Sequence, residues 1–296
     1  MAVEAATPYP QFWATVGMRP ALRRPGVVAD RDWAPGERPL RLVVVGKGGA
    51  GKSVIAGTMA RILARRGRRV LALDTDTLPG LAHSLGSRPS PSPPLMAAVE
   101  KVEHGCWRLK KGIGPVRAVQ RFSTVAPDGV RVLEVGDQSI GGDPPITPSS
   151  QAFYQVVHAL PEAKALSGWT MVGDHPAGPR QTAHDWAPYA DTLLLVTEPT
   201  WKSALTARRV AEIADARGAA VIPVASKVTS PSDVELVQKI LGRRVAAAVP
   251  ADEAVAETDR RGVALIDDAP GSPAVNAIES LVDGLVDGTM KGMINR

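Results

Sequence analysis

From Leu40 onward the chain alternates short apolar runs with amphipathic stretches, the pattern of a parallel sheet whose strands are joined by crossover helices. The runs "LRLVVVG" (40–46), "RVLALD" (69–74), "VRVLEVG" (130–136), "GWTMVGD" (168–174), "TLLLVTE" (192–198) and "AAVIPVAS" (219–226) read as strands, with "VAAAVP" (245–250) as a last short one. A helix is expected from Lys52 to a stop at Gly67, another over 151–160, and a third over 202–218 with Leu205, Val210 and Ile213 on one stripe. The expected fold class is α/β, a doubly wound and mainly parallel sheet flanked by helices, over residues 40–296. Residues 1–39 hold six prolines and no sustained period, so they read as an arm rather than a domain. Phe12, Trp13 and Trp33 give that arm a means of docking on its own core or on a partner. The stretch "SRPSPSPP" (87–94) is too poor in apolar side chains to pack and reads as a mobile surface loop.

Bulk composition narrows the class without changing this outline. The chain has 296 residues and a hydrophobic fraction of 44%, enough for one sizeable core, which excludes whole-chain disorder. The single cysteine, Cys106, cannot form an intrachain disulfide and fits a reducing, cytoplasmic setting. No apolar run approaches the roughly 20 residues that span a bilayer, and the N-terminus lacks the charged-then-apolar order of a secretory signal. The formal charge of +5 is carried partly by arginine clusters at 65–69, 208–209, 243–244 and 260–261. Such clusters read as solvated helix ends, where cations offset the helix dipole, ahead of a nucleic-acid footprint.

The chemistry-bearing stretch is "GKGGAGKS". Gly46, Gly51, Lys52 and Ser53 satisfy G-x-x-x-x-G-K-Ser/Thr, between a strand and a helix as that motif requires. Gly46, Gly48, Gly49, Ala50 and Gly51 let the backbone turn tightly and aim amide hydrogens at phosphate oxygens, and the helix start through Val54 adds a favourable dipole. Lys52 then reaches the β and γ phosphates of ATP, and Ser53 a magnesium ion. Asp74 and Asp76 follow the second strand and Asp174 ends a later one; carboxylates at i and i+2 either serve that site or cap the next turn.

With its second lysine, Lys47, the loop resembles the deviant Walker loop of the MinD and ParA ATPases, the nitrogenase iron protein and the arsenite-pump ATPase. The resemblance implies a P-loop fold and a homodimer formed on ATP binding, in which Lys47 crosses to the partner's nucleotide. It implies that Asp76 orients or deprotonates the attacking water and that Asp74 supports the magnesium shell. "MVGDHPAG" (171–178) is similar to the second switch, so Asp174 would hold magnesium through water and the Gly178 amide would sense the γ phosphate. His175 is taken as a switch-loop side chain rather than a ligand. "VASKV" (224–228) stands where relatives carry an Asn-Lys pair for adenine, here Ser226 and Lys227, and Pro250 and Asp252 would line the base pocket. The resemblance covers roughly residues 40–285, with its landmarks in the expected order.

Within that family, "VTEPTWKSALTARRVAEIA" (196–214) and "VLALDTD" look most like the accessory ATPase that helps insert nickel into carbon monoxide dehydrogenase, the CooC-like branch. That branch holds metal through a C-x-C pair, whereas residues 137–153 here have no cysteine. Asp137 and Asp143 in that stretch read as turn formers. The implied activity is slow ATP hydrolysis coupled to a dimer that opens and closes on an unidentified protein cargo or scaffold. Alternatives are a ParA-like positioning switch on nonspecific DNA, or an adaptor that clamps a protein through residues 1–39. Three glycines in "SLVDGLVDGTMKGMINR" speak against a membrane-binding helix, each costing about 1 kcal/mol of helix propensity.

Overall fold

The computed structural model describes residues 37–77, 80–90, 94–102, 107–136, 148–183 and 185–290. The arm before residue 37, Cys106, Asp137 and Asp143 lie outside the described residues. The strands in chain order are β1 (Arg41–Gly46), β2 (Val70–Asp74), β3 (Val99–Lys101), β4 (Trp107–Leu109), β5 (Thr124–Val125), β6 (Arg131–Glu134), β7 (Thr170–Asp174), β8 (Thr192–Thr197), β9 (Ala220–Val228) and β10 (Ala247–Pro250). The helices are α1 (Lys52–Arg65), α2 (Gly80–Ser84), α3 (Pro115–Phe122), α4 (Pro148–Ala159), α5 (Arg180–Ala183), α6 (Trp201–Ala216), α7 (Pro231–Leu241), α8 (Glu253–Arg261), α9 (Leu265–Asp268) and α10 (Pro273–Val286).

Eight strands form one sheet in the order β10-β9-β8-β1-β7-β2-β6-β5, parallel throughout except that β5 runs antiparallel to β6. β3 and β4 make a separate antiparallel hairpin. The apolar runs are continuous because both faces of each central strand are covered. Successive side chains of a strand point to opposite faces. Leu42 and Val44 of β1 thus join Ile55, Met59, Leu63, Ile278 and Leu281 of α1 and α10, while Val43 and Val45 join Phe153, Val157, Val210 and Ala211 of α4 and α6. The chain is therefore wound on both faces, and the carboxyl ends of β1, β7 and β2 meet where the strand order reverses, the ordinary place for a ligand in such a sheet.

Several local expectations change. α6 buries Ala204, Ala207, Val210, Ala211 and Ala214, whereas Leu205 stands 43% exposed. Of the expected stripe, Val210 is buried and Ile213 part-buried, while the rest of the contact is made by alanines that let the helix approach the sheet and leave Leu205 outside. α10 forms through Gly284 despite the propensity cost: Ser272 caps it, and Ile278, Leu281, Val282 and Leu285 are buried against the fold. Tertiary burial of an apolar face outweighs propensity here. In the serine-proline stretch, the Ser90 amide donates to Glu134 and the Ser87 hydroxyl to the Ala82 carbonyl, which ties its described part to the core.

A buried cation fastens α1 to its surroundings. Arg61 is 2% exposed, and its guanidinium meets Asp267 Oδ1 at 2.8 Å, Asp128 Oδ2 at 2.5 Å and the Leu85 carbonyl at 2.7 Å. Arg65, one turn on, reaches the same two aspartates.

Candidate nucleotide site

β1 delivers the glycine loop to the centre of the sheet. At Gly46 a Cβ would lie 2.2 Å from the Val196 carbonyl oxygen, so only glycine lets the chain leave β1 so close to β8. Gly51 takes φ 85 immediately before α1, a left-handed conformation that frees the first amides of the helix to face the loop's interior. The loop is braced from within and from the side. Ala50 N–H donates to the Lys47 carbonyl at 3.3 Å, and the buried Ser226 hydroxyl donates to the Ala50 carbonyl at 2.8 Å. Ser226 therefore stands against the phosphate loop, a bracing role that its alignment with an adenine-reading position did not reveal.

The two loop lysines occupy different environments. Lys52 is buried, and its ammonium donates to the Lys47 carbonyl at 3.2 Å, folded over the loop backbone. Lys47 is 39% exposed, with its ammonium 3.8 Å from Glu198 Oε2. The other oxygen of Glu198 accepts from Lys227 at 2.7 Å, and Lys227 itself holds φ 55. Sequence reasoning missed Glu198. The signal was an acid at the end of a buried strand, "LLLVTE", facing two lysines brought in from elsewhere in the chain.

Three carboxylates gather around the opposite wall. Asp74 and Asp174 are register partners on adjacent β2 and β7, and each is 1% exposed. Asp74 Oδ1 accepts from the Asp76 amide at 3.0 Å, which sets Asp76, half-buried, at the rim. Asp74 Oδ2 and Asp174 Oδ1 are buried with no hydrogen-bond partner among the described residues. Burial pushes the Asp174 carboxyl up to about 7, against the pull of the Ser53 hydroxyl and the Lys52 ammonium. Burial and the neighbouring Asp174 charge push Asp74 well above the usual carboxylate range. Two buried carboxylates disfavour each other's ionised form until a cation is shared between them. Oxygen donors from Ser53, Asp74 and Asp174 suit a hard divalent cation such as magnesium.

The second switch is tied into the same place. The Gly178 amide donates to the Gly46 carbonyl at 3.1 Å, and Thr75 N–H and hydroxyl both donate to the Asp174 carbonyl. His175, expected as a loop side chain, is instead 2% exposed, and neither ring nitrogen has a partner among the described residues. Burial and the Lys52 charge hold it neutral, with its pKa lowered to about 3. Asp252 accepts from the amides of Ala254 and Ala274, both at 2.9 Å, so its carboxylate anchors the starts of α8 and α10. Pro250 ends β10 opposite Val228 of β9, and the two bonds assign Asp252 a capping part that the sequence alone did not show.

The arginine clusters are largely engaged. Arg208 and Arg209 pair with Glu212, Arg243 with Asp215, Arg260 with Glu257 and Arg261 with Asp268. Among the described residues, no helix is long and apolar enough to cross a membrane, and no three His, Cys, Asp or Glu side chains, Asp74, Asp76 and Asp174 included, form a ready-made metal-ligand set.

Residues 42–266 match the CobQ/CobB/MinD/ParA nucleotide binding domain. The carbon monoxide dehydrogenase accessory protein CooC of Rhodospirillum rubrum is 27% identical over 248 residues, covering 78% of this chain and 91% of that protein. The cell division ATPase MinD of Pyrococcus furiosus superposes with a TM-score of 0.62 at 21% identity, over 83% of this chain and 98% of that one. The septum site-determining protein MinD of Pyrococcus horikoshii OT3, complexed with Mg-ADP, gives a TM-score of 0.60 at 19% identity, over 82% and 94% of the two chains.

Proposed function

The chain belongs to the CobQ/CobB/MinD/ParA nucleotide-binding family, and from that premise we propose that it is a magnesium-dependent ATPase working as a dimeric switch. The observation that carries this reading is the division between the two lysines. Lys52 is buried over its own loop, where an ammonium stabilises the β and γ phosphates of a nucleotide held by the amides of Gly48 to Val54. Lys47 remains at the surface on a partly screened pair with Glu198, free to exchange that carboxylate for phosphate across an interface. The P. horikoshii neighbour is complexed with Mg-ADP, in keeping with the oxygen-donor set here.

Magnesium, when bound, would neutralise charge developing on the phosphates, with Ser53 as a ligand and Asp74 and Asp174 holding its waters. Asp76, half-buried at the rim with its amide bonded to Asp74, is the carboxylate that would orient the attacking water and accept its proton. Loss of the γ phosphate frees the Gly178 segment, which returns to the Gly46 carbonyl, and the dimer opens. The cargo reading is that of a CooC-like accessory ATPase, supported by the 27% identity to the R. rubrum protein, with a cytoplasmic protein as client.

Lys47→Ala decides the matter. With magnesium and a nonhydrolysable triphosphate, sedimentation should show the parent as a dimer and the variant as a monomer that still binds nucleotide, with turnover lost. A variant that dimerises and turns over like the parent overturns the cross-subunit role.

A further inference from the structure

At the end of the sheet remote from the glycine loop, a cleft of about 350 Å³ opens between α3 and the amino ends of β7, β2 and β6. Arg69, Arg131 and Trp169 stand at those strand starts, and the half-buried Val116 supplies an apolar edge over Val119 and Leu166, which are themselves buried in the core. The Arg69 guanidinium lies 5.7 Å from the centre of the Trp169 ring, stacked rather than ion-paired. Arg131 donates to the Ser123 hydroxyl at 3.1 Å. Among the described residues neither arginine has a carboxylate partner, a state they share with Arg117 and Arg121 of the neighbouring α3, so the cleft and the helix beside it present a run of cations without acids. The cleft is therefore built for a segment that is part acidic and part apolar.

The chain outside the described residues ends beside it. The Arg38 carbonyl accepts from Arg68, which directly precedes Arg69, and the Leu40 amide donates to the hydroxyl of Thr170, which directly follows Trp169. Six residues upstream of Arg38 lies Asp32, within about 20 Å along an extended chain. The stretch Val28-Ala29-Asp30-Arg31-Asp32 alternates so that an extended strand would set Val28, Asp30 and Asp32 on one face and Arg31 on the other. One apolar group and two carboxylates complement one apolar edge and two guanidinium groups that have no carboxylate among the described residues.

We propose that the cleft is the seat of residues 28–32 of the chain's own arm, with Asp30 and Asp32 on Arg69 and Arg131 and Val28 against Val116. Docked there, the arm clasps the fold from behind, covers the starts of three central strands, and leaves the carboxyl ends of the strands open for nucleotide and a second subunit.

The test uses the full chain and two independent measurements. Chymotrypsin cleavage after Trp33, timed by mass spectrometry against cleavage after Phe12 and Trp13 upstream in the same arm, reports how often the docked segment is released. Arg69→Glu with Arg131→Glu should accelerate the Trp33 cut about fivefold relative to the upstream ones, and Asp30→Arg with Asp32→Arg on that background should restore most of the protection. In a Cys106→Ser background, Asp32→Cys and Gln120→Cys at the cleft rim should be joined by a bismaleimide within one chain, with both arginines intact. Unchanged cleavage on charge reversal overturns the proposal. So does a crosslink formed only between chains, which would give the cleft to the arm of a second copy, or the absence of any crosslink, which would leave it to a separate acidic partner.

Discussion

At the carboxyl ends of β2 and β7 the sheet buries Asp74 and Asp174 with an oxygen of each unpartnered; at its amino ends Arg38 and Arg41 share one aspartate, Asp191, while Arg69 and Arg131 line the cleft under α3. Arg41 is 3% exposed, donates to the carbonyls of Leu166 and Ser167, and is pushed down to about 10 by burial against the pull of Asp191. Both ends carry charge that the described residues only partly answer. Arg61 with Asp128 and Asp267 is the balanced counterpart, cation and anions matched within one cluster. Uncompensated buried charge is costly, and the carboxylates at the carboxyl ends are held at that cost, whereas Arg69 at the amino ends is exposed and Arg131 part-buried.

The carboxylate end offers the largest effect. In magnesium-free buffer at pH 8, Asp174→Asn should unfold with about 2–4 kcal/mol more stability than the parent, because the parent must ionise a buried carboxyl. Its sign follows from proton binding. A carboxyl raised to about 7 is protonated in the native state and ionised in the unfolded chain across the window from about pH 4 to 7, so the parent loses stability as pH rises through it. The gap between variant and parent should therefore open across that window and hold above it. His175, lowered to about 3, works in the opposite sense and is common to both proteins, so it cancels from the gap. Urea unfolding at several pH values measures this, and a gap independent of pH would remove the claim that Asp174 is uncompensated.

The balanced cluster should behave differently. Arg61→Ala should cost about 2–3 kcal/mol by the same unfolding measurement, less than for a fully enclosed pair because Arg65 still serves both aspartates. A cost independent of added nucleotide would mark Arg61 as structural, in contrast with Asp174.

Glu198 gives the smallest effect. The exposed lysines it holds make pairs worth at most about 1 kcal/mol, so Glu198→Gln should tighten ATP-dependent self-association two- to fivefold. Sedimentation equilibrium resolves this; weaker association would mean that Glu198 supports the dimer instead of restraining Lys47.

The legible parts were those written in consecutive residues. β1, the glycine loop and α1 form one local grammar, in which a buried strand, positive-φ glycines and a helix start follow within 13 positions, from Arg41 to Ser53. The carboxylates ending β2 and β7 were readable for the same reason. The region from Gly80 to Val125 was not, because α2, β3, β4, α3 and β5 are each short and owe their form to what they pack against. Leu205 misled because a large apolar side chain marks a buried face only when the neighbour leaves room for it, and the sheet under α6 admits alanine. Ser226 and Asp252 carried a part that their positions did not reveal: beside the place read for a base, their oxygens are used by the fold itself.

By itself the sequence determined the parallel α/β class, the phosphate loop and the residues at the ends of its strands, because strand period, glycine conformation and helix starts are local properties of the chain. Only the tertiary structure decided that Asp74 and Asp174 lie side by side, that Glu198 joins Lys47 to Lys227, and that Arg69 and Arg131 share a cleft. Each of those pairings links residues far apart in the chain, and sheet order, which brings β7 between β1 and β2, sets their distances and the charge each must answer.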